Sequence, residues 1–165
     1  MIQDYDPRWP LRFEELRFGI AAALGEIASA IEHVGSTAVP GLAAKPIIDM
    51  DVLLTSSSAL STAVSKLSSL GYRHQGDLGI RGREAFQAPP GEFAHHLYVC
   101  QPDCSQYRRH LVFRDYLRNH PDDAAAYAAL KRRLAAQFRL NRFAYVQGKT
   151  QFVSAILERA SCRES

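Results

Sequence analysis

Apolar residues recur at helical spacing near the start of the chain. Phe13, Leu16, Ile20 and Leu24 form one stripe, which predicts an amphipathic helix from Trp9 to about Gly25. Ala28 to Gly35 then reads as a strand that ends in a Gly35-Ser36 turn. Pro40-Gly41 and Lys45-Pro46 punctuate the loop before a second strand at about Ile47 to Leu54. The serines Ser56, Ser57 and Ser58 are expected to cap a helix from about Ala59 to Leu70, which Gly71 closes. Tyr72 to about Gln87 reads as a hairpin stretch with turns at Gly76, Gly79 and Gly82. After the break at Pro89-Pro90-Gly91, Phe93 to Gln101 is a third strand, with His96 and Tyr98 on one face and His95, Leu97 and Val99 on the other. Helical periods follow over Ser105 to Asn119, Pro121 to about Arg139, and Asn141 to about Ala160. The layout is α+β: a small mixed β-sheet with flanking helices and a helical C-terminal part. One domain over 1–165 is expected, with the sheet core in 1–101 and the helical part, 102–165, packed on it.

Composition narrows this picture. At 165 residues and 47% hydrophobic content, the chain suits one well-buried core. No apolar stretch approaches a membrane span, and Met1 to Pro7 is acidic where a secretion signal would be basic. A soluble, cytoplasmic protein without a membrane partner is the expectation. Cys100, Cys104 and Cys162 are odd in number and lack a second ligand pair, so they read as free thiols. The net charge of +3 hides an asymmetry: 8 Lys+Arg against 11 Asp+Glu up to residue 100, and 12 against 6 beyond it. An acidic half joined to a basic half suits an anionic substrate held between them, although solvated helix faces give the same counts. The basic residues show no aromatic interleaving, which argues against a nucleic-acid partner.

The chemistry concentrates in Ile47-Ile48-Asp49-Met50-Asp51-Val52. Strand alternation puts Asp49 and Asp51 on one face, with Cα atoms about 6.6 Å apart. Two carboxylates at that separation repel by roughly 2.5 kcal/mol at an effective dielectric near 20. A hard divalent cation such as Mg2+ is the simplest counter-ion, because it binds through one or two carboxylates plus substrate phosphates. The Gly35-Ser36 turn upstream offers backbone N–H groups and a hydroxyl to those phosphates.

The segment His33-Val34-Gly35-Ser36-Thr37-Ala38-Val39-Pro40-Gly41-Leu42, followed by Ala44-Lys45-Pro46-Ile47-Ile48-Asp49, resembles the signature of the GrpB-like proteins. The likeness extends to Tyr5-Asp6-Pro7-x-Trp9, Gly71-Tyr72, Phe113-Arg114-Asp115-Tyr116-Leu117-Arg118, Tyr127-x-x-Leu130-Lys131 and Tyr145-x-x-x-Lys149. That family belongs to the nucleotidyltransferase superfamily, whose fold resembles the palm of DNA polymerase beta, so the sheet is expected to be of nucleotidyltransferase type. Some members are fused to dephospho-CoA kinase. The superfamily pattern is a Gly-Ser turn, an Asp-x-Asp pair, then a third carboxylate on a later strand. Gly35-Ser36 and Asp49-Met50-Asp51 match the first two elements. The later strand has no acid beyond Glu92: His96 matches the His-Leu-His of relatives, and Tyr98 replaces their second histidine.

The resemblance implies a Mg2+-dependent (or Mn2+-dependent) transfer of a nucleoside monophosphate from a nucleoside triphosphate to an acceptor hydroxyl. Asp49 and Asp51 would hold the metal, and Gly35 and Ser36 the β- and γ-phosphates. His96 would serve as base in place of the third carboxylate. Lys45, Arg81, Arg83, Lys131 and Lys149 are further phosphate candidates. Arg81 and Arg83 share one face if extended, and the two Tyr-x-x-x-Lys spacings place each lysine at the edge of an apolar stripe. Glu32 and His33 read as structural, and Arg114, Asp115 and Arg118 as an intrahelical ion-pair network. A nucleotide-binding module without catalysis, or a metal-dependent phosphate-ester hydrolase, fits the same residues. The sequence names neither the acceptor nor an oligomeric state.

Overall fold

The structure, a computed structural model, describes residues 1–162; the last residues of the expected 1–165 unit lie outside it. Five strands form one sheet in the order β1-β2-β5-β4-β3. They are β1 Ala28–Val34, β2 Ile48–Leu54, β3 Arg73–Gly76, β4 Arg83–Gln87 and β5 His95–Cys100. β2 pairs with β1 antiparallel and with β5 parallel, while β4 pairs antiparallel with β5 and β3. The helices are α1 Trp9–Leu24, α2 Leu60–Ser69, α3 Ser105–Asn119, α4 Pro121–Gln137 and α5 Arg142–Ser161. The α+β class and the mixed sheet are as the pattern predicts. No helix among the described residues is long and apolar enough to cross a membrane.

One face of the sheet is the main core. Ile48, Met50, Val52 and Leu54 of β2 meet Trp9, Phe13, Leu16, Ile20 and Leu24 of α1. Ala63 and Leu67 of α2, and Leu97 and Val99 of β5, complete the layer. Such burial at about 25 cal/mol per Å2 of apolar surface is what holds a half-apolar strand at the centre of a sheet. A second core joins the helical part to the β1–β2 loop: Val39 and Leu42 pack with Tyr116, Leu117, Ala124, Tyr127 and Ile156. The serine cluster departs from expectation. Ser57–Ala59 forms a 3-10 turn, Ser56 and Ser58 hydrogen-bond each other at 2.9 Å, and α2 begins without a side-chain cap. The hydroxyls satisfy one another, and the 3-10 turn leads the chain directly into α2. Asn141 does cap α5, accepting from the Ala144 N–H at 3.0 Å.

The arginines of α3 also do more than pair along their helix. Arg114 binds Asp115 at 2.7 Å, but it also donates to Glu32 at 2.7 Å and to the His33 carbonyl at 3.0 Å. Arg118 donates to the Ala38 carbonyl at 2.9 Å, with Asp115 at 3.8 Å. They tie α3 to β1 and to the turn that follows it, because that loop exposes carbonyls with no strand partner.

Glu32 and His33 act as structural residues. His33 stacks on Phe13 with ring centroids 4.8 Å apart, and its Nε2 lies 3.0 Å from Thr37 Oγ1. The Thr37 hydroxyl donates onward to the Ile47 carbonyl, so His33 donates from Nε2. Burial pulls the pKa of His33 down to about 4, against a small opposing pull from Asp49. The unfolded chain therefore takes up a proton near pH 6.5 that the folded protein refuses until about pH 4. His33 thus contributes stability that is present above pH 6.5 and lost as pH falls toward 4, by about 3 kcal/mol in all. Urea midpoints measured from pH 7 to 4.5 should fall more steeply for the native chain than for His33→Gln.

Candidate functional site

The second face of β2 carries Asp49 and Asp51, as strand alternation requires. The parallel register sets Asp49 beside His96 and Asp51 beside Tyr98. On the other side, Val34 stands opposite Asp49 and Glu32 opposite Asp51. Asp51 is wholly buried, whereas the Asp49 side chain is 31% exposed. Glu32 shares the face but is turned to Arg114.

Each aspartate already has an imidazole partner. His96 donates from Nδ1 to Asp49 Oδ1 at 2.8 Å, and its Nε2 has no hydrogen bond to the described residues. His110, on α3, donates from Nδ1 to Asp51 Oδ2 at 2.6 Å, and Gln106 donates to His110 Nε2 at 3.0 Å. N–H donors from two histidines thus meet part of the repulsion that a cation alone was expected to relieve. His110 was missed in the sequence because it lies on a polar-rich helix 59 residues from Asp51 and follows no motif. Asp51 Oδ1 remains buried without a partner. A buried unpaired carboxylate oxygen costs about 1–3 kcal/mol or more, so its persistence fits a ligand position for a cation. Among the described residues, no three His, Cys, Asp or Glu side chains converge as a metal cluster. A hard cation here would rest on the two carboxylates, with phosphate and water oxygens completing its shell, which is the Mg2+ habit.

Gly35 closes against this pair. Its φ of +73° suits glycine, and a Cβ at that position would lie 2.3 Å from Asp49 Oδ2. The turn Ser36–Ala38 follows at once. Lys131, only 2% exposed, donates to Ser36 Oγ at 2.8 Å and to the Ala43 carbonyl at 2.6 Å. Its ammonium sits 4.6 Å above the Tyr127 ring, one helical turn back. Burial, with Lys149 and Arg132 nearby, lowers its pKa to about 7. Lys149 and Lys45 flank the Tyr145 ring at 4.6 Å and 4.7 Å, and burial together with Lys45 pushes the Lys149 pKa down. Arg142, at the start of α5, is close enough to influence both Lys149 and Tyr98. Arg142 belongs to no motif, so nothing local in the sequence marks it.

Gly35, Ser36, Lys45, Lys131 and Lys149 are thus gathered at one end of the aspartate pair. The two hairpin arginines separate. Arg83 lies on β4, 8% exposed, with its guanidinium 4.2 Å from the Tyr98 ring centroid. Arg81 sits in the turn before β4 and is exposed, lining a separate recess with Gln101, Asp103 and Ser105. The expected shared face fails because Arg81 precedes the strand, so alternation does not apply to it. All three cysteines are free, Cys100 and Cys104 buried and Cys162 exposed.

The model of the family described as GrpB protein matches residues 1–159. The UPF0157 protein YqkA of Bacillus subtilis is 38% identical over 156 residues, covering 94% of this chain and 46% of that protein. A UPF0157 protein of Pseudomonas aeruginosa is 42% identical over 159 residues, covering 94% and 65%. The chain therefore spans only 46% and 65% of the lengths of these two relatives. Among solved structures, conserved protein GrpB from Enterococcus faecalis superposes with a TM-score of 0.89 at 34% identity over 99% of both chains. Cid1 in complex with its short product ApU gives 0.58 at 12% identity, over 85% of this chain and 44% of that one. Terminal uridylyl transferase 4 from Trypanosoma brucei with bound CTP gives 0.53 at 17%, over 95% and 52%. The last two likenesses show a nucleotidyltransferase fold.

Gly35→Ala should displace Asp49 Oδ2 and strain the turn, lowering stability by about 1–3 kcal/mol. Crystallography of the variant should find the Asp49–His96 hydrogen bond broken or the turn shifted.

Proposed function

The chain belongs to the GrpB family, and from that premise we propose that it is a Mg2+-dependent nucleotidyltransferase that moves a nucleoside monophosphate from a nucleoside triphosphate to a hydroxyl acceptor. One observation carries the reading: a buried carboxylate, Asp51, with an unpartnered oxygen, stands beside Asp49 and the glycine turn that abuts it. A soluble nucleotide substrate also fits the cytoplasmic setting expected from free thiols.

In this reading Asp49 and Asp51 would hold Mg2+ (or Mn2+), which when bound supplies positive charge to the α-phosphate and the departing pyrophosphate. The triphosphate runs from the aspartates toward Gly35 and Ser36, with Lys131, Lys149 and Lys45 around its far end. The acceptor oxygen bonds to the α-phosphorus, the bond from that phosphorus to the bridging oxygen breaks, and pyrophosphate leaves. His96 is oriented by Asp49 through Nδ1, so Nε2 can accept the acceptor's proton. A second reading, nucleotide binding without transfer, is favoured by β5 carrying no acid where the superfamily pattern has a third carboxylate.

Calorimetry with nucleoside triphosphates should show Mg2+-dependent binding that Asp49→Asn and Asp51→Asn each weaken by about tenfold or more. Pyrophosphate release with an acceptor panel separates transfer from binding alone. Absence of any Mg2+-dependent nucleotide binding would overturn both readings.

Lys131 provides an independent test. Its pKa near 7 leaves it mostly neutral at pH 8 in the free protein, and an arriving phosphate raises that pKa. Binding at pH 8 should take up to about one proton, read from calorimetry in buffers of different ionisation enthalpy, and Lys131→Met should abolish the uptake.

A further inference from the structure

Arg83 is a buried cation that the phosphate turn does not use. The similarly buried Arg114 is satisfied by Glu32, Asp115 and the His33 carbonyl, and Lys131 by Ser36 and the Ala43 carbonyl. The Arg83 side chain makes no hydrogen bond or ion pair with any described residue, and its Nε is buried without a partner. The guanidinium lies over the face of Tyr98, 4.2 Å from the ring centroid. A guanidinium presents five N–H donors in a rigid fork matched to a carboxylate or phosphate. Stacking leaves the edge of that fork free, so the side chain is held in position and its hydrogen-bonding capacity is unused.

Its place in the sheet says what it faces. The order β1-β2-β5-β4 puts the aspartates on β2, the glycine turn at the end of β1, and Arg83 on β4. Two strand spacings separate β4 from β2, about 10 Å. Arg83 is paired in register with Cys100, yet its guanidinium reaches back over Tyr98, the direct neighbour of Asp51. The lysine cluster therefore lies on one side of the aspartates and Arg83 on the other. A triphosphate that extends from the aspartates to Ser36 and Lys131 runs away from Arg83.

We propose that Arg83 binds an oxyanion, a terminal phosphate or a carboxylate, on the small-molecule acceptor. Resting on the transferase reading for the word acceptor, this places the acceptor's hydroxyl between Arg83 and the aspartates. His96 is beside it, its ring centroid 6.3 Å from that of Tyr98. The acceptor is thus an anionic hydroxy compound, and Tyr98 is the platform for the cation that recognises it.

The test uses the full 15N-labelled chain. The Nε–H resonance of Arg83 is identified by its loss in Arg83→Lys, then followed during titration with inorganic phosphate and, separately, with acetate. The resonance should shift and saturate in at least one arm, the tighter arm naming the group, and should do so equally when a nucleoside triphosphate is bound. Arg83→Gln should weaken oxyanion binding by about tenfold or more while leaving triphosphate affinity within about twofold. Arg83→Lys keeps a cation over Tyr98, so it preserves the fold if Arg83→Gln does not, and it should lose most of the same affinity because an ammonium cannot fork. No shift with either oxyanion overturns the proposal. So does a loss of triphosphate binding in Arg83→Gln as large as in Asp49→Asn, or a response to the dinucleotide ApU alone. Saturation by phosphate in a chain that binds no triphosphate would leave the anion site standing and remove the transferase reading.

Discussion

The structure depends on how β2 divides its two faces. Ile48, Met50, Val52 and Leu54 are sealed against α1 and α2, which makes the strand central and holds its register with β1 and β5. The same alternation forces Asp49 and Asp51 onto the opposite face, where Asp49 keeps partial access to water and Asp51 has none. Two carboxylates held this way require donors from elsewhere. The molecule supplies His96 from the adjacent strand and His110 from α3, and still leaves one oxygen of Asp51 unpaired.

The helical part exists largely in relation to that face. Arg118 of α3 and Lys131 of α4 donate to the loop between β1 and β2, and Arg114 to the end of β1, so the turn that abuts Asp49 is held by side chains reaching down from helices. A buried ammonium between two oxygens is more costly than an apolar side chain of the same size would be. Its retention at a turn suited to phosphate fits a role in binding, because an arriving anion would offset the cost of its charge. Arg83 on the far side of the aspartates has no such tie, and the two flanks of the site differ in chemistry: lysines gather at the turn, and a guanidinium is stacked over Tyr98.

Much of the fold was legible in the pattern. The stripe at Phe13, Leu16, Ile20 and Leu24, the two-faced strands at Asp49–Asp51 and His96–Tyr98, and the three closing helices follow from periods of 3.6 and 2. The pattern was less informative wherever a residue's partner lies far along the chain. Nothing local distinguishes His110 from any polar residue on a helix, or shows that Arg114 reaches across to Glu32 instead of only to its neighbour Asp115. Serine clusters are ambiguous in the same way, since hydroxyls that bond one another give up the cap.

By itself, then, the sequence determined that two aspartates share a strand face downstream of a glycine turn, because alternation and local steric limits act over a few residues. Only the tertiary structure decided which groups meet them. It placed a histidine on each carboxylate, set Lys131 on Ser36, moved Arg81 away from the site, and stacked Arg83 on Tyr98. Those choices depend on sheet order and on how α3 to α5 dock: His96, His110 and Lys131 meet partners 47, 59 and 95 residues away, which no local spacing encodes.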